Sequence, residues 1–150
     1  MKQFIVIGLG NFGMNVANAL AKFGHQVLAI DSDSKKVNEI KDKVTQAVVA
    51  DSKDKKILSE FITKDIDAVI VGLGDNLEAS TLTTLHLKEL EAKKIIVKAM
   101  DEDHGEILRT IGADEIIYPE KDVALQLAER LTTPNLIEHI PLAPEYSIAE

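Results

Sequence analysis

The chain has 150 residues, 45% of them apolar and 28% charged, with a net charge of −8, four histidines and no cysteine. Its length suits one globular domain that buries about 70% of its unfolded surface. The composition excludes disulfides, thiolate zinc sites and thiol catalysis, argues against nucleic-acid partners, which select clustered Lys and Arg, and offers no apolar run near the ~20 residues of a membrane span, so a cytoplasmic location without membrane insertion is expected.

In chain order, residues 3–8 (QFIVIG) are the first predicted strand: brief, β-branched and continuously apolar, as a strand covered on both faces should be. The run stops at Gly8 and is followed by Gly10, Asn11, Phe12 and Gly13 before a helix over 11–23. A GxGxxG between a strand and a helix is the context in which that motif binds a dinucleotide: Gly8 for the tight turn, Gly10 for phosphate approach, Gly13 for helix–strand packing. The N–H groups of the following helix then attract phosphate. Gly24 marks the helix exit, and a second strand, 26–30, leads into Asp31, Ser32 and Asp33. Asp31 stands 18 residues after Gly13, near the ~20 expected of a ribose-binding acid. Its charge disfavours a 2′-phosphate and hence NADP, but does not separate NAD from ATP or ADP.

A helix over 34–43, with Asp33 or Ser34 as N-cap, precedes a third strand at 46–49, which ends at Asp51 and Ser52. Ser52 is the expected cap of a helix over 53–61, and Asp51 is placed to accept an adenine amino group. The fourth strand, 67–71, opens onto Gly72, Leu73, Gly74 and Asp75, with a long helix over 76–91 whose face is expected to carry Leu77, Ser80, Thr81, Thr84, Leu87 and Leu90 or Leu85. The fifth strand, 95–98, ends at Lys98, Ala99 and Met100, with Lys98 as a cation for phosphate. A helix over 103–111 begins near His104 and exits at Gly112, a sixth strand covers 115–118, and Glu120 leads into a helix over 121–132.

Six βα repeats predict a Rossmann-type α/β fold: a doubly wound parallel six-stranded sheet in the order 3-2-1-4-5-6, with the ligand outside the carboxyl ends of the strands. Residues 1–132 form the nucleotide-binding domain. Residues 133–150 hold three of the four prolines and are too short for another core. An NAD-dependent oxidoreductase is the alternative function, but it needs a proton-transfer group beside the nicotinamide. Of the four histidines, His25, His86 and His139 are expected in structural or surface roles, and His104 beside the phosphates as a binding group, cationic if protonated.

The segments VIGLGNFG (6–13), AIDSD (29–33), AVVADS (47–52), NLEASTLTTLHLKEL (76–90), IVKA (96–99), IGADEIIYPEKD (111–122) and PEYSI (144–148) together resemble the RCK, or KTN, domain of bacterial potassium uptake systems, most closely the cytosolic regulatory subunit of the Ktr type. The resemblance covers essentially the whole chain. It implies a nucleotide-sensing regulator, not an enzyme, that binds ATP, ADP or NAD(H). It also implies assembly as a homodimer, often within an octameric ring, beneath a membrane potassium-translocating subunit that the nucleotide gates. Ligand contacts fall by motif position on Asn11, Asp31 to Asp33, Asp51, Ser52, Leu73 to Asp75, Lys98 to Met100 and His104. Glu120 matches a glutamate near the phosphates linked to a divalent cation, Mg or Ca. Two departures stand out. Asn11 occupies a position that is commonly Arg, which removes a charge from the terminal phosphates. Residues 133–150 are expected to lead toward a C-terminal lobe that lies outside this chain.

Overall fold

The computed structural model describes residues 1–133 together with the backbone of 141–143 and 146–147. His139, the apolar stretch from Leu136 and part of PEYSI lie outside the described residues. Six strands, β1 (Gln3–Ile7), β2 (Gln26–Asp31), β3 (Gln46–Val49), β4 (Ala68–Val71), β5 (Ile95–Lys98) and β6 (Glu115–Ile117), form one parallel sheet in the order β3-β2-β1-β4-β5-β6. The predicted fold class and strand order are those observed. Helices α1 (Asn11–Lys22), α2 (Ser34–Ile40), α3 (Lys55–Ser59), α4 (Leu77–Glu89) and α5 (Glu102–Ile111) make the crossovers. The central strands are apolar on both faces because helices cover both: Ile5, Val6, Ile7, Val69, Val71 and Val97 are all essentially inaccessible. At ~25 cal/mol per Å² of apolar surface, this burial is the main favourable term holding the sheet.

Local side chains set the helix boundaries. Asp33 caps α2 through the Lys35 N–H, so of the two candidates Asp33, not Ser34, holds the cap. The third helix is shorter than its predicted 53–61. Asp51 folds its carboxylate onto the Lys53 N–H at 2.9 Å, an Asx-turn that holds that stretch out of the helix, and Asp54 caps α3 instead. Ser52 is therefore not a cap. On α4, Asn76 is the cap and the inward residues are Ala79, Ser80, Thr83, Thr84 and Leu87, whereas Leu77 and Thr81, expected on that face, are half-exposed and partly exposed. The buried hydroxyl of Thr84 is satisfied by the Ser80 carbonyl at 2.8 Å.

The chain divides into two units, Met1–Ile117 and Tyr118–Glu150. The second contains α6 (Pro119–Thr132), which begins with a proline in its first turn, carries Glu120 and Asp122 there, and has no buried residue. It also contains β7 (Pro141–Ala143) and β8 (Tyr146–Ser147), a short antiparallel pair where no strand was expected.

Candidate functional site

The strand order reverses between β1 and β4, so the crevice above their carboxyl ends is the expected ligand position. On one side of it lies the glycine loop. Gly8 has φ +93°, and a β-carbon there would stand 2.8 Å from the carbonyl of Gly72 at the end of β4. A β-carbon on Gly13 would stand 1.8 Å from the Gly8 carbonyl oxygen, so α1 lies directly on the turn that leads into it. Gly10 differs: its φ of −73° suits any residue, and a β-carbon would meet nothing within 4 Å. The absence of a side chain at Gly10 thus serves the open space above it, where an outside group can reach the backbone. Of the helices in the first unit, α1 alone starts without a side-chain cap; α2 to α5 are capped by Asp33, Asp54, Asn76 and Asp101. Its first intrahelical bond is donated by Met14 N–H to the Gly10 carbonyl, which leaves the N–H groups of Asn11, Phe12 and Gly13 available to an anion. Asn11 is exposed at this edge.

At the end of β2, Asp31 accepts the Leu9 N–H on Oδ2 at 2.7 Å and the Asp33 N–H on Oδ1 at 2.8 Å. It therefore fixes both the glycine loop and its own turn, and each oxygen keeps a lone pair for a further donor. Beside it a cavity of about 160 Å³ is lined by Ile7, Asp31, Ser32, Ala50, Asp51, Ser52, Lys53, Leu73, Asn76 and Ala79. Pockets that enclose whole drug-sized ligands run to roughly 300–1,000 Å³, so this smaller space suits one ring system. The Ser52 side chain lines this cavity but is tied to the neighbouring helix. Its hydroxyl is buried and hydrogen-bonded to Thr83 Oγ1 at 2.7 Å.

Lys98, at the end of β5, lies across Gly74, where a β-carbon would stand 3.0 Å from Nζ, and its ammonium sits 6.0 Å from the centre of the Phe12 ring. Glycine loop, β4 turn and β5 end thus share one cation. Asp75 and Met100 are exposed, and Ala99 is buried. His104 is 4% exposed. Its Nδ1 accepts the Met100 N–H at 3.1 Å, which places the ring proton on Nε2, a buried atom with no partner. Burial lowers its pKa, and the charge of Asp101 opposes this only in part. His104 is therefore a neutral donor at pH 7 and not the second cation considered from the sequence. His25 accepts the Lys2 N–H and packs edge-on against Phe4, and His86 Nε2 lies 3.1 Å from the Lys53 carbonyl. Glu120 belongs to the second unit, in the first turn of α6.

The first unit thus brings together Gly8, Gly10, Gly13, Phe12, Gly74 and Lys98 around the glycine loop, and Asp31, Ser32, Asp51 and Leu73 around the cavity. Sequence reasoning missed Ile7, Ala50, Lys53, Asn76 and Ala79 as cavity residues. Asn76 had a readable signal: a capping residue that follows a strand end at the switch point faces the crevice. Among the described residues no group of three acidic or histidine side chains could hold a metal ion.

A parallel 3-2-1-4-5-6 sheet with a glycine turn between β1 and α1 and an acid at the end of β2 defines a Rossmann-type nucleotide-binding fold. The chain belongs to the TrkA-N domain family, whose model matches residues 4–119. It is 45% identical over 149 residues to Ktr system potassium uptake protein A of Bacillus subtilis (strain 168), covering 99% of this chain and 67% of that protein. Among solved structures, the NAD(P)-binding domain of an exopolyphosphatase-related protein from Archaeoglobus fulgidus superposes with TM-score 0.78 at 22% identity, over 89% of this chain and 99% of that one. The AMP-bound C-terminal domain of Kef from Shewanella denitrificans superposes with TM-score 0.71 at 20% identity, over 89% and 82%. Among the described residues no helix is long and apolar enough to cross a membrane.

Proposed function

We propose that this chain is the nucleotide-sensing domain of a regulatory subunit that sets the activity of a membrane potassium transporter. The observation that carries the nucleotide part is the pairing of the open Gly10 face at uncapped α1 with Asp31, whose two oxygens are held in place by the loop it serves. A diphosphate fits the first and a ribose diol the second. The cavity beyond Asp31 takes the base. The AMP-bound Kef domain, the NAD(P)-binding domain from Archaeoglobus fulgidus and the Bacillus potassium uptake protein support that reading.

The reading is regulatory because the described histidines have other duties. His25 and His86 are engaged by backbone, and buried neutral His104 accepts the Met100 N–H on Nδ1, which leaves Nε2–H as a hydrogen-bond donor and no free base on the ring. Binding at a site assembled from five strand ends shifts the domain between states only so far as the ligand prefers one of them. A second copy of the chain and a pore subunit are the partners on which such a shift would act. Lys98 supplies one charge and Asn11 none, so ATP brings more negative charge than the site neutralises. One carboxylate is not a metal site by itself, and Glu120 is proposed only as an oxygen donor to a Mg²⁺ or Ca²⁺ ion carried by the phosphates.

A thermal-shift panel with ATP, ADP, AMP, NAD, NADH and NADPH tests the nucleotide part. Ligand at 100 times its Kd adds about 2.7 kcal/mol, so ATP, ADP, AMP and NAD are expected to raise Tm by about 5–11 °C, and NADPH much less. No shift with any of them at millimolar concentration refutes the reading. Failure to co-purify with a potassium-translocating membrane subunit refutes the transport part separately.

A further inference from the structure

We propose that Asn76 is the residue by which the cavity reads a base, its side-chain amide donating a hydrogen bond to an acceptor nitrogen of a purine ring; this rests on the nucleotide reading above. Asn76 Oδ1 accepts the Ala79 N–H at 2.9 Å and is spent on capping α4. That bond fixes which way the amide is turned, because the opposite orientation would set two donors against each other. The Nδ2 end is left over, with two N–H groups and no partner among the described residues, on a residue that lines the cavity.

Of the other polar side chains lining that cavity, Lys53 brings a charged donor on a flexible stem and Ser32 a hydroxyl of either kind, and the remainder are acceptors or already engaged. Asp31 and Asp51 are acceptors, and Asp51 commits only Oδ1, to the Lys53 N–H at 2.9 Å. Ser52 has turned its hydroxyl to Thr83. The Asn76 amide is thus a neutral donor, held in place by its cap, beside the two carboxylates. Adenine presents a complementary edge: an exocyclic amino group that needs an acceptor, next to ring nitrogens that need a donor. An apolar wall of Ile7, Leu73 and Ala79 completes the slot for a flat ring. Capping alone needs only the oxygen of Asn76, and serine or aspartate would supply it equally well.

That equivalence makes the test. Asn76→Ser and Asn76→Asp both keep the cap and remove the donor, so α4 is expected to survive in each, verified by circular dichroism and Tm. Binding of AMP and of its 1-deaza, 3-deaza and 7-deaza analogues is measured by calorimetry on wild type and both variants. All four probes carry the same phosphate, so the charge added by aspartate cancels in their ratios. In wild type one analogue is expected to bind at least about 5-fold more weakly than AMP, the penalty for an amide donor left without its acceptor. In both variants that gap closes. Equal binding of all four probes by wild type, or an unchanged gap in the variants, overturns the proposal and leaves Asn76 a cap. Wild type that binds no AMP overturns the nucleotide reading itself, and with it this one.

Discussion

Replacing Asp31 by alanine separates two jobs that one carboxylate performs. Without ligand, the change leaves the Leu9 and Asp33 N–H groups without acceptors. Asp33 is exposed and water can replace the lost bond, but Leu9 is 2% exposed. A buried donor left unsatisfied costs about 1–3 kcal/mol, or roughly 2–12 °C of Tm for a domain of this size. With ligand, the lost bonds to the ribose are charge-assisted and cost about 1.5–3 kcal/mol, a 10- to 150-fold loss of affinity. ADP, ATP and NAD share that ribose, so the factor is expected to be the same for all three within error. Calorimetry with ADP, NAD and 2′-deoxy-ADP reads the binding term, and scanning calorimetry of the free protein reads the stability term. In wild type 2′-deoxy-ADP binds more weakly than ADP; in the variant the two converge. Unchanged affinity for ADP and NAD, or a variant that discriminates the 2′-hydroxyl as wild type does, refutes the placement of ribose at Asp31.

Gly10→Ala is expected to leave Tm unchanged, since its β-carbon meets nothing within 4 Å, yet to weaken ADP and NAD while sparing adenosine; equal effects on all three refute a phosphate above Gly10. Gly13→Ala, whose β-carbon would stand 1.8 Å from the Gly8 oxygen, is expected to unfold the loop, seen as loss of the cooperative melt. Wild type is expected to lose stability as pH falls below about 6.5, because unfolded His104 takes up a proton that the buried ring refuses, and stability falls with pH wherever the unfolded chain binds more protons. His104→Gln flattens that slope in pH-dependent melts; identical slopes refute the assignment. Mg²⁺ or Ca²⁺ is expected to tighten ATP more than ADP or NAD, and Glu120→Gln to abolish most of that difference; ATP binding equal in EDTA and excess cation refutes the proposed role of Glu120.

The sheet was legible because its chemistry is unambiguous. Runs such as FIVI and AVIV are too short for a helix and rich in β-branched residues, which favours a strand buried on both faces, and a GxGxxG that joins one to a helix identifies β1. The short third helix was not legible, because Asp51, Ser52 and Asp54 all prefer caps and turns, and only the tertiary structure decides which of them caps. Ser52 was misread for that reason: Thr83, 31 positions away, takes its hydroxyl. On α4 a hydroxyl-rich inward face carries weak hydrophobic periodicity, and Leu77 was placed on it by spacing alone. Asp31, Ser32, Asp51, Ser52 and Leu73 were readable as cavity residues because a parallel sheet sends every carboxyl end the same way. Lys53 escaped because cavity lining depends on where a loop turns, which strand spacing does not encode, whereas Asn76 was legible as a cap at the switch point and was overlooked.

The ties between the Asp51 loop and α4 make the two a single mechanical part. Ser52 is bonded to Thr83 and the Lys53 carbonyl to His86 one turn further along, so the loop is tied at two successive points to one edge of the helix, and Lys55, the first residue of α3, adds an exposed ion pair to Glu89 at 3.1 Å. A displacement at Asp51 would meet a rod of 13 residues, about 20 Å long at 1.5 Å per residue. The hydroxyls and imidazole along α4 are, in this sense, the rivets of a lever.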